Sequence, residues 1–229
     1  VQLDVISAGA AKGVVEALAG GFHDAHGATI AATFGAVGAM KEKLLAGAPC
    51  DAIVLTQALL DGLANDGHVR GETIRPLGRV HTGVAVRAGD ALVAIETADA
   101  LRKSLSAATS LYFPDPAKAT AGIHFMKVLE KLDLRNHLTA RLKPFPNGAT
   151  AMAELARATD ARPIGCTQVT EIKYTPGVTL VGVLPKAFEL VTLYSAAVCA
   201  RAVNVTIAER FVELMTGPDA KALRAAAGF

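Results

Sequence analysis

The chain alternates short apolar runs with stretches of helical spacing, and the joints between them are made of glycine, alanine and little else. "SAGAAKG" (Ser7 to Gly13), "FGAVGAM" (Phe34 to Met40), "DPAKATAG" (Asp115 to Gly122) and "PNGAT" (Pro146 to Thr150) are four such joints. A strand that ends in small residues and passes straight into a helix lets another group come close to the backbone. Helix starts also present free N–H groups and the positive end of the helix dipole. Tight strand–helix packing asks for the same small residues, so one joint says little. Their recurrence in the same kind of place carries the argument.

Periodicity fills in the rest. "LDVIS" reads as a strand, and Ala10 to His26 has helical spacing through Val14, Val15, Leu18 and Phe22. "ATIAATF" and "DAIVLT" are strands. Helices are expected over Val37 to Ala46, stopped by Gly47, and over Gln57 to Asn65. "GRVHTGVAVRAG" is a long strand region. Thr97 is the expected cap of a helix to Ala107, with Asp99 in its first turn. The second half repeats the theme: strand "TSLYF", helix Gly122 to Lys131, strand "TARLKPF", helix Ala149 to Ala158, then strands "RPIGC", "VTLVGVL" and "VTLYSAAVC". Helices over Val203 to Met215 and Asp219 to Ala226 close the chain.

Strands alternating with helices predict an α/β fold with parallel sheets and right-handed crossovers. Two successive blocks predict two lobes, residues 1–82 with 190–229 and residues 83–189. The chain is expected to cross between them near residues 80 to 87 and 188 to 197. In open α/β sheets ligands sit beyond the carboxyl ends of strands, so the joints are expected to converge on a cleft between the lobes.

The bulk numbers exclude several classes. With 229 residues, 52% hydrophobic and 19% charged, the chain has enough apolar material for a sizeable core. A net charge of +2 with scattered Lys and Arg gives no basic stripe for nucleic acid. No apolar run is long enough for a transmembrane helix. The opening "VQLDVIS" reads as a strand rather than a signal peptide, and the missing initiator Met leaves a removed leader open. Cys50, Cys166 and Cys199 match no zinc spacing and read as small buried hydrophobes; one disulfide is possible on the numbers alone. His23, Asp24 and His26 in "GFHDAHG" read as a solvated helix end, and no metal site is expected. Walker A, GxGxxG, G-x-S-x-G and HExxH patterns are absent, so no cofactor is expected.

At the joints the candidate ligand-binding residues are Ser7, Gly9, Ala10, Lys12, Gly35, Ala36, Val37, Lys118, Thr120, Ala121, His124, Asn147, Thr167 and Gln168. His124 lies just inside the helix that follows "AKATAG". It can donate a hydrogen bond, act as a base near neutral pH, or simply pack the first turn. Glu171 in "TQVTEI" is read as holding a strand or helix start rather than as a catalytic acid.

These joints resemble the molybdate-binding family of periplasmic solute-binding proteins with type II topology. "LDVISAGAAKGVVEALAGGFHDAHG", "FGAVGAMKEKLLAGAPCDAIVLT", "PDPAKATAGIHFMKVLEKLDL" and "FVELMTGPDAKALRAAAGF" carry the resemblance over nearly the whole chain. It implies a two-lobed binding fold, a small anionic ligand and an ABC permease as partner, with a monomer delivering the ligand. It also implies a periplasmic location if a leader was removed, and a cytoplasmic one otherwise. In molybdate binders a serine follows the first strand where Ala10 stands here, a second serine occupies the place of Val37, and a tyrosine the place of Gln168. The set left at the joints is richer in amide and nitrogen donors and suits an organic carboxylate better than a small oxyanion. One branch of the resemblance consists of aconitate-isomerase-like enzymes, which move a double bond in a tricarboxylate without a cofactor. Two functions therefore stand side by side: a solute-binding protein for an organic anion, and an isomerase with His124 as its acid–base group.

Overall fold

A computed structural model describes the whole chain, Val1–Phe229. In chain order, β1 (Gln2–Ala8), α1 (Lys12–His26), β2 (Thr29–Gly35), α2 (Val37–Leu45), β3 (Ala52–Thr56) and α3 (Gln57–Asn65) come first. They lead to the long β4 (Arg75–Arg87). Then follow α4 (Ala98–Ala107), β5 (Ser110–Pro114), α5 (Thr120–Lys131), β6 (Leu142–Phe145), α6 (Gly148–Arg157), β7 (Pro163–Gln168), α7 (Val169–Tyr174) and β8 (Val178–Val183). The chain closes with β9 (Val191–Val198), α8 (Val205–Thr216) and α9 (Lys221–Ala227). Val1–Val80 and Thr192–Phe229 form one compact unit, and His81–Val191 the other.

In the first unit β1 pairs in parallel with β2 and with β3, and β9 runs antiparallel to β3. Helix α1 buries Val14, Val15 and Phe22 along one face, and the Phe22 ring meets Phe211 of α8 edge-on at 4.9 Å. The helix stops at Gly27, whose φ of 64° is left-handed, with His23 and His26 in the last turn. Asp51, 3% exposed, locks the carboxy-terminal segment to the sheet. Its Oδ2 accepts from the Asp4 N–H at 3.0 Å. Its Oδ1 accepts from the N–H groups of Val203 and Asn204, just ahead of α8, at 2.7 and 3.1 Å.

In the second unit β5 lies between β6 and β7, parallel to both. The sheet is buried on both faces. Leu111 and Phe113 point into a cluster with Leu101, Leu105, Phe125, Leu129 and Ile164, while Tyr112 between them points into a second cluster with Met152, Leu155 and Ile172. The strand's alternation and the i, i+4, i+7 spacing of Ala121, Phe125 and Val128 on α5 produce this layering.

Three expectations need correction. The sheets are mixed: β4 runs antiparallel to β7 and β8, and β9 antiparallel to β3. Thr139–Arg141, expected in a strand, forms a 3-10 turn before β6. A short helix, α7, follows β7, where six residues leave too little periodicity to read.

The amino end of the second unit's sheet carries a polar network. Asp160 Oδ2 accepts from Ser110 Oγ at 2.5 Å, Tyr112 OH at 3.0 Å and Lys143 Nζ at 3.2 Å. The Ser110 hydroxyl first, and then Lys143, hold the Asp160 carboxyl below its usual range. A depressed carboxylate contributes stability that is complete above the unfolded value near 3.8 and is lost as pH falls through the folded one. Asp160→Asn is therefore expected to cost roughly 1–2 kcal/mol at pH 7. The gap to wild type should narrow once the pH passes below that range. Urea melts at both pH values check this, and a gap that is the same in acid counts against it.

Candidate functional site

The site is easiest to see in the first unit. Strands β2, β1 and β3 lie side by side and parallel, so all three end at the same edge. The register pairs Ser7 with Phe34 and Ala8 with Gly35. The joints Gly9–Ala10–Ala11 and Gly35–Ala36–Val37 are thus neighbours. Seven of the candidate residues, Ser7, Gly9, Ala10, Lys12, Gly35, Ala36 and Val37, are brought together at this edge.

Their helices start as α8 and α9 do, with no side-chain cap and no acid in the first turn. Neither α1 nor α2 has a side-chain cap, and neither has an acidic residue in its first turn. By contrast Thr56 caps α3, Thr97 caps α4 and Asn147 caps α6. Leading N–H groups of a helix have no partner within the helix, and at α1 and α2 the chain supplies neither a capping side chain nor an acid. Lys12 is the first residue of α1, with Nζ 5.6 Å from the centre of the Phe34 ring and 3.8 Å from Glu16. Ser7 is fully buried, and its Oγ donates to the Ala8 carbonyl at 3.0 Å. Ala10 and Val37 place buried apolar groups at 5% and 8% exposure.

The second unit has a comparable edge at the ends of β5, β6 and β7. Helix α5 again starts without a side-chain cap or an acid. Lys118 stands two residues ahead of it, in a loop whose Ala117 and Lys118 N–H groups bond Asp115 Oδ1 at 2.7 and 2.9 Å. Thr120 and Ala121 form its first turn. Gly122 is there for packing: a Cβ would come 2.2 Å from the Pro114 carbonyl.

Helix α6 is already occupied. Asn147 Oδ1 accepts from the Thr150 N–H at 2.9 Å. The Glu171 carboxylate, 6% exposed, accepts from the N–H groups of Gly148, Ala149 and Gln168 and, at 2.5 Å, from the Thr167 hydroxyl. Burial pushes its pKa up, against the pull of those donors. An internal anion thus sits where a ligand was expected. Asn147 and Thr167 spend an oxygen and a hydroxyl proton, respectively, inside the unit. The small residue at this joint answers to the same arrangement, since a Cβ on Gly148 would fall 1.9 Å from Glu171 Oε2.

His124 is also engaged. Its Nε2 stands 2.7 Å from the Phe188 carbonyl. A carbonyl only accepts, so Nε2 carries the proton, and in the neutral ring Nδ1 keeps the lone pair. The bond ties α5 to the 3-10 turn at Lys186–Phe188.

Two residues escaped the sequence reading. The hydroxyls of Thr82 and Thr170 are buried and find no partner within the protein. Thr82 lies opposite Gln168, itself 2% exposed, in the β4–β7 ladder, and Thr170 is in the first turn of α7. The only local signal was the spacing of hydroxyls in "TQVT". A cavity of about 430 Å³, lined by Leu92, Val93, Lys103, Arg162 and others, opens near the start of β7, away from the strand ends that carry the joints.

Comparison with known proteins gives a consistent picture. The family model of bacterial extracellular solute-binding proteins matches residues 3–229. Aconitate isomerase from a Pseudomonas species is 26% identical over 224 residues, covering 95% of this chain and 83% of that protein. The periplasmic molybdate-binding protein of Azotobacter vinelandii superposes with a TM-score of 0.83 at 23% identity, covering 99% and 97% of the two chains. The sulfate-binding protein SubI of Mycobacterium tuberculosis superposes with a TM-score of 0.75 at 15% identity, covering 100% of this chain and 86% of its own.

Proposed function

The chain belongs to the bacterial extracellular solute-binding protein family, and on that premise we propose that it holds a small organic carboxylate at its strand–helix joints. The observation that carries this reading is the pair of adjacent helices, α1 and α2, that begin without a capping side chain or an acid. A carboxylate supplies the missing acceptors and the negative charge that the helix dipoles favour. Lys12 adds a cation at the same edge. Ala10 and Val37 line it with apolar groups, which suit a ligand with a carbon skeleton better than a bare oxyanion. The three named relatives bind or act on anions: molybdate, sulfate and aconitate. A permease that receives the solute is the corresponding partner. No helix is long and apolar enough to cross a membrane.

A second reading is favoured by one observation, the aconitate isomerase similarity over 95% of the chain. On that reading the joint at the start of α5 holds a tricarboxylate while a side chain of that helix moves a proton. His124 offers Nδ1 for the purpose, with its ring fixed by the Phe188 carbonyl.

A thermal-shift panel separates the possibilities. Ligand at a hundred times its Kd stabilises by about 2.7 kcal/mol, a rise of roughly 5–10 °C for a chain of this size. A di- or tricarboxylate is expected to give that rise, and molybdate, tungstate and sulfate to give little. A largest shift from an oxyanion would overturn the carboxylate reading. Incubating the protein with cis- and trans-aconitate and following ultraviolet absorbance then tests for isomerisation; a carboxylate that binds but is not converted leaves the binding function.

A further inference from the structure

We propose that Cys50 and Cys199 are joined by a disulfide in the mature protein, a modification site that staples the two sequence segments of the first unit. That unit is discontinuous: Val1–Val80 and Thr192–Phe229 build it, and the entire second unit is inserted between them. Cys50 sits in one segment just before β3, and Cys199 in the other just after β9. The two strands are antiparallel partners with Ala52 opposite Val198, and the Cys199 N–H donates to the Asp51 carbonyl at 2.9 Å. This register brings the sulfurs to 2.9 Å across 149 positions of sequence, against about 2.05 Å in a formed bond.

The surroundings hold the pair in place. Asp51, next to Cys50, bonds the backbone of Val203 and Asn204 a few residues beyond Cys199. Val69 bridges Cys199 from its other side. Both thiols are buried, Cys50 at 9% and Cys199 at 1% exposure, so the bond, once formed, is shielded from small reductants. Cys166 is the natural control. It lies on β7 in the second unit, fully enclosed, where burial pushes its thiol up and keeps it unreactive.

The chemistry takes place before the pair is covered and uses a disulfide-bearing oxidant, of the kind that extracytoplasmic compartments maintain. The Cys50 thiolate, from the more exposed of the two residues, attacks one sulfur of that oxidant. The oxidant's S–S bond breaks and one of its sulfurs leaves as a thiolate. The Cys199 thiolate then attacks Cys50 Sγ in the mixed disulfide and expels the second. The oxidant gains two electrons and the two protons given up by the cysteines, and the chain gains one S–S bond. Membership of an extracellular family places the chain where such oxidants operate.

The test is a count of thiols on the unmutated protein. Denatured chain is refolded in a mixture of reduced and oxidised glutathione, quenched in acid, unfolded and alkylated with iodoacetamide. One labelled cysteine per chain before reduction, and all three after it, is expected, with peptide mapping placing the link between Cys50 and Cys199. Three labels before reduction, or a link that contains Cys166, overturns the proposal. The staple closes a very long loop in the unfolded chain, so reduction is expected to lower the melting midpoint by about 5–15 °C. The same reductant should leave the Cys50→Ser/Cys199→Ser double variant unmoved, and should still lower the midpoint of Cys166→Ser. An unchanged wild-type midpoint after complete reduction overturns the stapling role.

Discussion

Gly148→Ala is expected to destabilise the second unit by roughly 3–6 kcal/mol. The added methyl would lie 1.9 Å from Glu171 Oε2, 2.1 Å from Thr167 Oγ1 and 2.4 Å from Glu171 Cδ. Neither neighbour can step aside cheaply. Thr167 is fully buried, and Glu171 is 6% exposed. If the carboxylate moves, the Thr167 hydroxyl and the N–H groups of Gln168, Gly148 and Ala149 lose their acceptor together. Overpacking costs about 1–3 kcal/mol, and each buried donor left without a partner about 1–3 kcal/mol more. The explanation has a built-in control. In a Glu171→Ala background the clash with the carboxylate is gone and the donors have already lost their acceptor, so Gly148→Ala should cost less there, the contact with Thr167 Oγ1 at 2.1 Å being what remains. Denaturant melts of the four proteins in that cycle give a coupling of several kcal/mol on this account. Additive single effects would show that Glu171 is not what the glycine accommodates.

The same residues show what could be read from sequence. Boundaries set by local rules were legible: Gln57–Asn65 is helical over the expected span, and Thr97 caps its helix through the Ala100 N–H at 3.1 Å. The small-residue joints were legible too, because glycine and alanine mark them directly. What each joint serves was not. Glu171 reaches Gly148 from more than twenty residues away, His124 finds the Phe188 carbonyl 64 positions on, and Cys50 meets Cys199 across 149. Such pairings follow from the order of strands in the sheet, which no local period encodes. The direction of β4 and β9 was lost for the same reason. A strand–helix alternation predicts parallel neighbours, but β9 returns to the first unit antiparallel to β3.

The internal carboxylates sharpen the functional reading. Asp51 serves the backbone that leads into α8, and Glu171 serves α6. Where the protein needs a helix start satisfied permanently, it supplies its own anion or a capping Thr or Asn. At α1, α2, α5 and α9 it supplies neither. What sets α1 and α2 apart is that their starts adjoin at one sheet edge, where the proposed carboxylate would supply the missing acceptors to both.

Installing hydroxyls at those starts should change which anion binds. Ala10→Ser combined with Val37→Ser is expected to raise affinity for molybdate by about 10²–10⁴-fold, since each new hydrogen bond to a charged ligand is worth roughly 1.5–3 kcal/mol. The two positions lie at neighbouring strand ends: Ala10 is in the 3-10 turn ahead of α1, and Val37 is the first residue of α2. Both are nearly buried, so without ligand the new hydroxyls are undersatisfied and the double variant should melt below wild type. Molybdate should restore the loss in the variant and do little for wild type. Titration calorimetry on wild type, both single variants and the double variant measures the gain directly. Single gains of about tenfold to a hundredfold that multiply in the double variant place the oxyanion at the β1–β2 edge. A double variant no better than wild type would remove the ligand from that edge. Submicromolar molybdate binding by wild type would show that backbone N–H groups alone suffice for a tetrahedral oxyanion, and the preference for a carbon skeleton would have to be given up.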